Sequence, residues 1–130
     1  MKKLLFLLAA TMFIISCGSD SEDDEPKTPS NEETIIGKWV KYEQASASAF
    51  TNFYDAFSKD TLTFRQDGTY TQVFEGSTSP INGTYSISNT RLLLGGLFVY
   101  DLIFENNNTM IMKEYGYGGD NGIYKFRRLK

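Results

Sequence analysis

A chain of 130 residues, 41% hydrophobic and 15% aromatic with a formal charge of −3, has room for one small domain plus flanking segments. It contains no histidine and a single cysteine, Cys17. Those absences exclude Cys–His and Ser–His nucleophile systems and every zinc site built on His or Cys within the domain.

In chain order, a basic start (Met1-Lys2-Lys3) leads into an apolar run of twelve over residues 4–15. Twelve helical residues span about 18 Å, well short of the ~30 Å hydrocarbon core, so the run suits the core of a signal peptide rather than a membrane-spanning helix. It ends in Ile14-Ile15-Ser16-Cys17. Aliphatic, tolerant, small, Cys: this resembles the lipobox of bacterial lipoproteins. The resemblance implies a signal peptide over residues 1–16, cleavage before Cys17, and lipid on the Cys17 sulfur and on the new amine. Two or more acyl chains make a stable membrane anchor.

Residues 17–33 read as a disordered acidic tether. Residues 18–33 hold Asp20, Glu22, Asp23, Asp24, Glu25, Glu32 and Glu33 against Lys27, whereas residues 34–130 hold ten Lys or Arg and nine Asp or Glu. The acidity therefore belongs to the tether, whose polar residues and like charges cannot bury a core. "SDSEDDE" behind the Cys resembles the export signal of lipoproteins on the outer face of some Gram-negative cells. Gly18 follows the Cys, where inner-membrane lipoproteins commonly carry Asp. The expected location is an outer-membrane lipid anchor with the domain facing outward; the periplasmic face is the alternative.

From residue 34 to 130, short apolar segments alternate with turn signals, the pattern of an all-β domain. Candidate strands cover 34–43, 60–66, 69–75, 81–88, 91–95, 97–105, 109–115 and 123–129. Asp67-Gly68 is a hairpin turn. A two-residue loop pairs Phe64 with Thr71. A three-residue loop with Gly68 in a bulge pairs Phe64 with Tyr70 and puts Leu62, Phe64, Tyr70 and Phe74 on one face, so it is preferred. Strand 97–105 is apolar on both faces except at Asp101. Eight strands joined by tight turns make an antiparallel up-and-down meander, and eight can close into a barrel that removes exposed edges.

Residues 44–59 break the rule. Phe50, Phe53, Tyr54 and Phe57 fall at i, i+3, i+4 and i+7, one face of a helix. A short helix or lid segment is therefore expected between strands 1 and 2, with Ser46 or Ser48 at its start.

Gly37-Lys38-Trp39 on the first strand, the long first connection, the simple meander and an Arg in the last strand together resemble the lipocalin and calycin group, in particular the small lipocalin-like domains of bacterial lipoproteins. The resemblance implies that Trp39 plugs the closed end of a barrel, with Gly37 beside it and Arg128 or Arg127 packed across the indole. Arg128 is preferred because it shares the more apolar face with Tyr124 and Phe126. By the same analogy the first connection lies over the open mouth, making Phe50, Phe53, Tyr54 and Phe57 the candidate ligand-binding residues. Packing as a stopper is the alternative use of this stripe. Met110 and Met112 are adaptable side chains suited to a pocket wall or to core filling. The domain departs from secreted lipocalins in being shorter and in lacking their disulfides and C-terminal helix.

No catalytic constellation stands out, and an enzyme is not expected. The acids of the domain sit singly on strand ends and turns. "GYGGDNG" (116–122) lacks the Lys-Ser/Thr of a phosphate loop and precedes a strand. Asp120-Asn121 has no EF-hand spacing around it, so no metal site or other cofactor is expected. The basic "KFRRLK" terminus reads as a solvated strand end and not as a nucleic-acid site. Asp60-Thr61-Leu62 resembles an O-glycosylation sequon of some Gram-negative envelopes. Two functions remain. One is a barrel that binds a small apolar or amphipathic ligand; the other is a filled barrel docking an envelope protein or glycan through aromatic loops such as 115–117. A cavity of roughly 300 Å³ or more opening under the 44–59 segment favours the first, and a solid core with an exposed aromatic patch the second.

Overall fold

The Asp67-Gly68 hairpin sets the register of the sheet. Arg65 N donates to Thr69 O at 2.9 Å and Gly68 N to Arg65 O at 3.2 Å, closing a three-residue loop. Gly68 sits at φ +78°, a conformation glycine adopts without penalty. Asp67 Oδ1 accepts from Thr69 N and Thr69 Oγ1 at 3.0 and 2.6 Å. Phe64 therefore pairs with Tyr70, the three-residue register.

The computed structural model describes residues 29–46, 52–115 and 122–130. Its elements are helix α1 (Asn31–Ile35) and strands β1 (Gly37–Ser46), β2 (Tyr54–Asp55), β3 (Thr61–Phe64), β4 (Thr69–Val73), β5 (Ile81–Ser88), β6 (Arg91–Leu94), β7 (Phe98–Asn106), β8 (Thr109–Tyr115) and β9 (Gly122–Leu129). Every sheet pairing is antiparallel and joins neighbours in the order β1-β3-β4-β5-β6-β7-β8-β9, and β9 returns to β1. Eight strands thus form a closed up-and-down barrel, and the two-residue β2 is an addition to it. A bulge between Lys41 and Glu43 shifts the closing register.

Alternation along the strands fills the barrel. The buried core comprises Ile35, Trp39, Leu62, Phe64, Tyr70, Leu92, Leu94, Leu102, Met110, Met112 and Phe126. Large side chains need small ones opposite. Gly83 pairs with Tyr70, and a Cβ at Gly83 would stand 2.7 Å from the Tyr70 ring. β5 gives up a side chain there to admit the aromatic ring.

Two features differ from the sequence reading. Folded structure begins before residue 34: Ser30 caps α1 in a capping box with Glu33, and Ile35 is fully buried under the barrel. The expected helix between the first two barrel strands is not what the described part of that connection forms. Tyr54 and Asp55 pair with Gln44 and Glu43 of β1, and Ala56 N donates to Tyr42 O at 3.0 Å. The reason is edge satisfaction. β3 pairs only with residues 37–40 of β1, which leaves the second half of that edge open. An extended β2 supplies the missing partners, and a helix would leave those backbone groups unpaired. Phe50 lies outside the described residues.

Candidate functional site

Two ends of the barrel do different work. At the end where β1 starts, Trp39 is fully buried, and its Nε1–H donates to Ile35 O at 2.7 Å. Register places Arg128 opposite Trp39, with the guanidinium 4.3 Å from the indole ring. Arg128 Nη1 donates to Ile36 O at 2.6 Å, Nη2 to Thr34 O, and Nε to Asn107 O at 2.8 Å. The backbone of Gly37 lies at φ +133°, and a Cβ there would stand 2.7 Å from Arg128 Nη1. Glycine is required so that the guanidinium can reach both the indole and the α1–β1 carbonyls. Gly37, Trp39 and Arg128 form one structural plug. Arg127 pairs with Val40 and lies 6.0 Å from the Tyr42 ring, on the other side of the sheet.

The opposite end is hollow. A cavity of about 240 Å³ opens there. Its deep wall is apolar: Leu62, Leu94, Met112 and Phe126, each nearly inaccessible to solvent. Its upper wall is polar: Lys41, Asp60, Gln72, Tyr100, Glu114 and Tyr124, with Phe74 at the margin. This layering follows from alternation. Lys41 follows Trp39 on the inward side of β1, and Glu114 follows Met110 and Met112 on the inward side of β8.

Lys41 and Asp60 form a buried ion pair, Nζ to Oδ2 at 2.7 Å, with side chains only 11% and 10% exposed. Ser58 Oγ bridges them, accepting from Lys41 Nζ at 2.9 Å and donating to Asp60 Oδ2 at 3.1 Å. The other carboxylate oxygen accepts from Glu75 N at 3.2 Å. Burial pushes the Asp60 carboxyl up, but the Lys41 and backbone hydrogen bonds outweigh it and hold the group below its ordinary value. On the same wall, burial, reinforced by Glu114, pushes the Tyr100 phenol up to about 12. Burial and then Glu114 raise Tyr124 as well, and its hydroxyl donates to Glu114 Oε2 at 3.3 Å. Both phenols stay protonated and serve as donors near neutral pH.

Of the aromatic residues expected to make the lid, the three described ones, Phe53, Tyr54 and Phe57, do not line this cavity. Phe53 stacks 4.2 Å from Lys125 Nζ, on the side of the sheet that carries Ala45 and Glu43. Tyr54 stands at the rim, with its hydroxyl 3.5 Å from Gln44 Nε2. Phe57 is 85% exposed, with its ring 5.6 Å from that of Tyr54. Just past the segment, Asp60 lines the cavity, with Ser58 behind it. Of the two methionines, Met112 lines the cavity and Met110 lies in the core.

The rim itself is apolar. Tyr54, Phe57, Phe74, Ile81, Leu97, Phe98 and Tyr115 are all exposed, and strand polarity puts every one at the open end. A second hollow of about 350 Å³ lies outside the barrel, between α1 and the β3–β4 turn, and is lined by Glu32, Glu33, Gln66 and Tyr85. It is larger and is also lined by Ile36 and Ile87, but it holds no buried ion pair like that of Lys41 and Asp60. Among the described residues no group of three or more His, Cys, Asp or Glu gathers as a metal site. No family model matches the chain, and no curated protein matches it.

Proposed function

We propose that this chain is a membrane-tethered, lipocalin-like binding module that holds a small amphipathic molecule at the open end of its barrel. The observation that carries the reading is the layered cavity. A barrel packed solid from Trp39 to Met112 leaves about 240 Å³ free at one end, apolar below and polar above. That volume falls short of the roughly 300 Å³ that would favour binding by size alone, so the reading rests on the layering and the occupant is smaller than a drug-sized ligand. Deep Leu62, Leu94 and Phe126 suit an apolar body; Gln72, Tyr100 and Glu114 suit a polar head. The Gly37–Trp39–Arg128 plug supports the lipocalin-like assignment, and no group in the cavity is placed as a nucleophile with its base, so the module is read as non-enzymatic.

The Ile14-Ile15-Ser16-Cys17 pattern supports lipid anchorage at Cys17, and the acidic run behind it supports an outward-facing outer-membrane location. Cys17 lies outside the described residues. One measurement reads anchor and ligand together: native mass spectrometry of the protein extracted from the membranes of its host. The expected spectrum shows a chain starting at Cys17, carrying diacylglyceryl and acyl groups, with a reproducible non-covalent small molecule released on activation. A chain that keeps residues 1–16 refutes the anchor. An empty barrel in every preparation argues for the second reading, a docking module. That reading is favoured by the rim, where Phe57 and Leu97 are 85% and 80% exposed, and it would engage an envelope protein or glycan.

A further inference from the structure

We infer that the molecule held at the barrel mouth is a cation, an amine or quaternary ammonium compound whose charged head sits against Glu114 and whose apolar body lies over Met112. This rests on the binding reading above and names its ligand class.

The argument is one of charge balance. Among the described residues Lys41 is the only cation lining the cavity, against two carboxylates, Asp60 and Glu114. Lys41 is already committed. Asp60 is 2.7 Å from its ammonium group, and Ser58 takes another of its protons at 2.9 Å. Glu114 belongs to none of the ion pairs among the described residues. Among the described residues its one hydrogen bond, from Tyr124, is 3.3 Å long, well beyond the ~2.5–2.7 Å of a strong O–H···O⁻ bond. The internal segments outside the description, 47–51 and 116–121, contain no lysine or arginine to compensate it. The cavity therefore keeps one negative charge in excess, beside Tyr100, its cross-strand partner, and Tyr124, its hydrogen-bond donor.

A half-buried carboxylate beside aromatic rings is matched best by a cation. The Coulomb attraction strengthens as water leaves, and ring faces add cation–π attraction. Lys41 shows the geometry within the protein itself, its ammonium lying 5.4 Å from the Tyr124 ring. Tyr100 pairs across strands with Glu114 and feels the same negative field, and its hydroxyl opens on the cavity with no hydrogen-bond partner among the described residues. An anionic head meets the reverse: an excess negative charge, and a lysine sealed by Asp60 and Ser58.

The test is calorimetric titration of the full chain with three probes of equal tail length: hexyltrimethylammonium, hexanol and hexanoate. The ammonium ion is expected to bind at least about tenfold more tightly than hexanoate, with hexanol between them, which is the scale of one partly shielded charge pair. The margin should narrow as salt is raised. Glu114→Gln is nearly isosteric. It should bring the ammonium probe down to the affinity of hexanol and leave hexanol unchanged. If that variant fails to fold, the salt series on the wild-type chain decides. Hexanoate binding as tightly as the ammonium probe, a salt-independent preference, or an unchanged preference in folded Glu114→Gln overturns the charge assignment and leaves the cavity reading intact. If none of the three probes binds saturably, both are overturned.

Discussion

Replacing Trp39 by alanine should cost about 3–5 kcal/mol of folding stability, the largest single-residue loss expected in this domain. The indole is fully buried and joins three parts of the fold at once. Its Nε1–H holds the last carbonyl of α1 at 2.7 Å, its face carries Arg128 at 4.3 Å, and its edge meets Phe104 at a centroid distance of 6.0 Å. Alanine leaves a void beneath α1 and removes the surface on which Arg128 rests. Arg128 then keeps only its three carbonyl partners, all at the chain's closed end. Denaturant unfolding of the full chain checks this. A midpoint shift equivalent to less than about 1 kcal/mol would mean that the closed end is not a stability centre, since surface changes fall within about 0.5 kcal/mol.

The second large effect is expected at Asp60. Asp60→Asn should cost about 3 kcal/mol, because it leaves the Lys41 ammonium buried against a neutral partner. The figure is at the low end for a broken buried pair because the pair borders a cavity that water can enter. Replacing both partners, Lys41→Met with Asp60→Leu, should restore most of the loss, since no orphaned charge remains. The linkage to pH has a definite sign. Asp60's folded value lies below the ordinary 3.8, so the folded state binds fewer protons than the unfolded chain. The pair's contribution is then complete above about pH 5 and is lost as pH falls through the folded value, below 3.8. Asp60→Asn removes that acid limb: its stability should fall less steeply than wild type below about pH 4. Parallel acid limbs in the two proteins would show that the pair does not stabilise the fold.

Much of the barrel was legible because the relevant signals are local. Asp67-Gly68 sets a turn, and the inward set of Leu62, Phe64 and Tyr70 chooses between two registers a residue apart. Alternation in β5 exposes every second residue from Thr84 to Ser88, as the pattern requires. The site was harder to read for a physical reason. Lys41 and Glu114 do sit on the inward parity of their strands, in step with Trp39 and Met112. A charged residue at such a position is acceptable only if a partner waits in space, and Asp60 is 19 residues from Lys41 in sequence. Nothing local announces that partner. The stripe of Phe50, Phe53, Tyr54 and Phe57 misled in the other direction. Its helical spacing is genuine, but the unpaired half of β1 competes for the same residues, and the backbone hydrogen bonds it offers outweigh a weak helical preference. Helix α1 did leave a signal, Ser30-x-x-Glu33, which lies inside a run whose acidity suggested disorder.

The central claim is that the layered cavity at the open end, and not the rim or the outer wall, takes up a small molecule. Amide NMR of the isotopically labelled chain, titrated with hexyltrimethylammonium, tests it most directly. Saturable shifts clustered at Leu62, Gln72, Leu94, Met112 and Glu114, with Ile35, Trp39 and Arg128 unmoved, are the predicted result. Shifts confined to Phe57, Ile81, Leu97 and Phe98, or a response that never saturates, would contradict it and assign the open end to docking a partner instead.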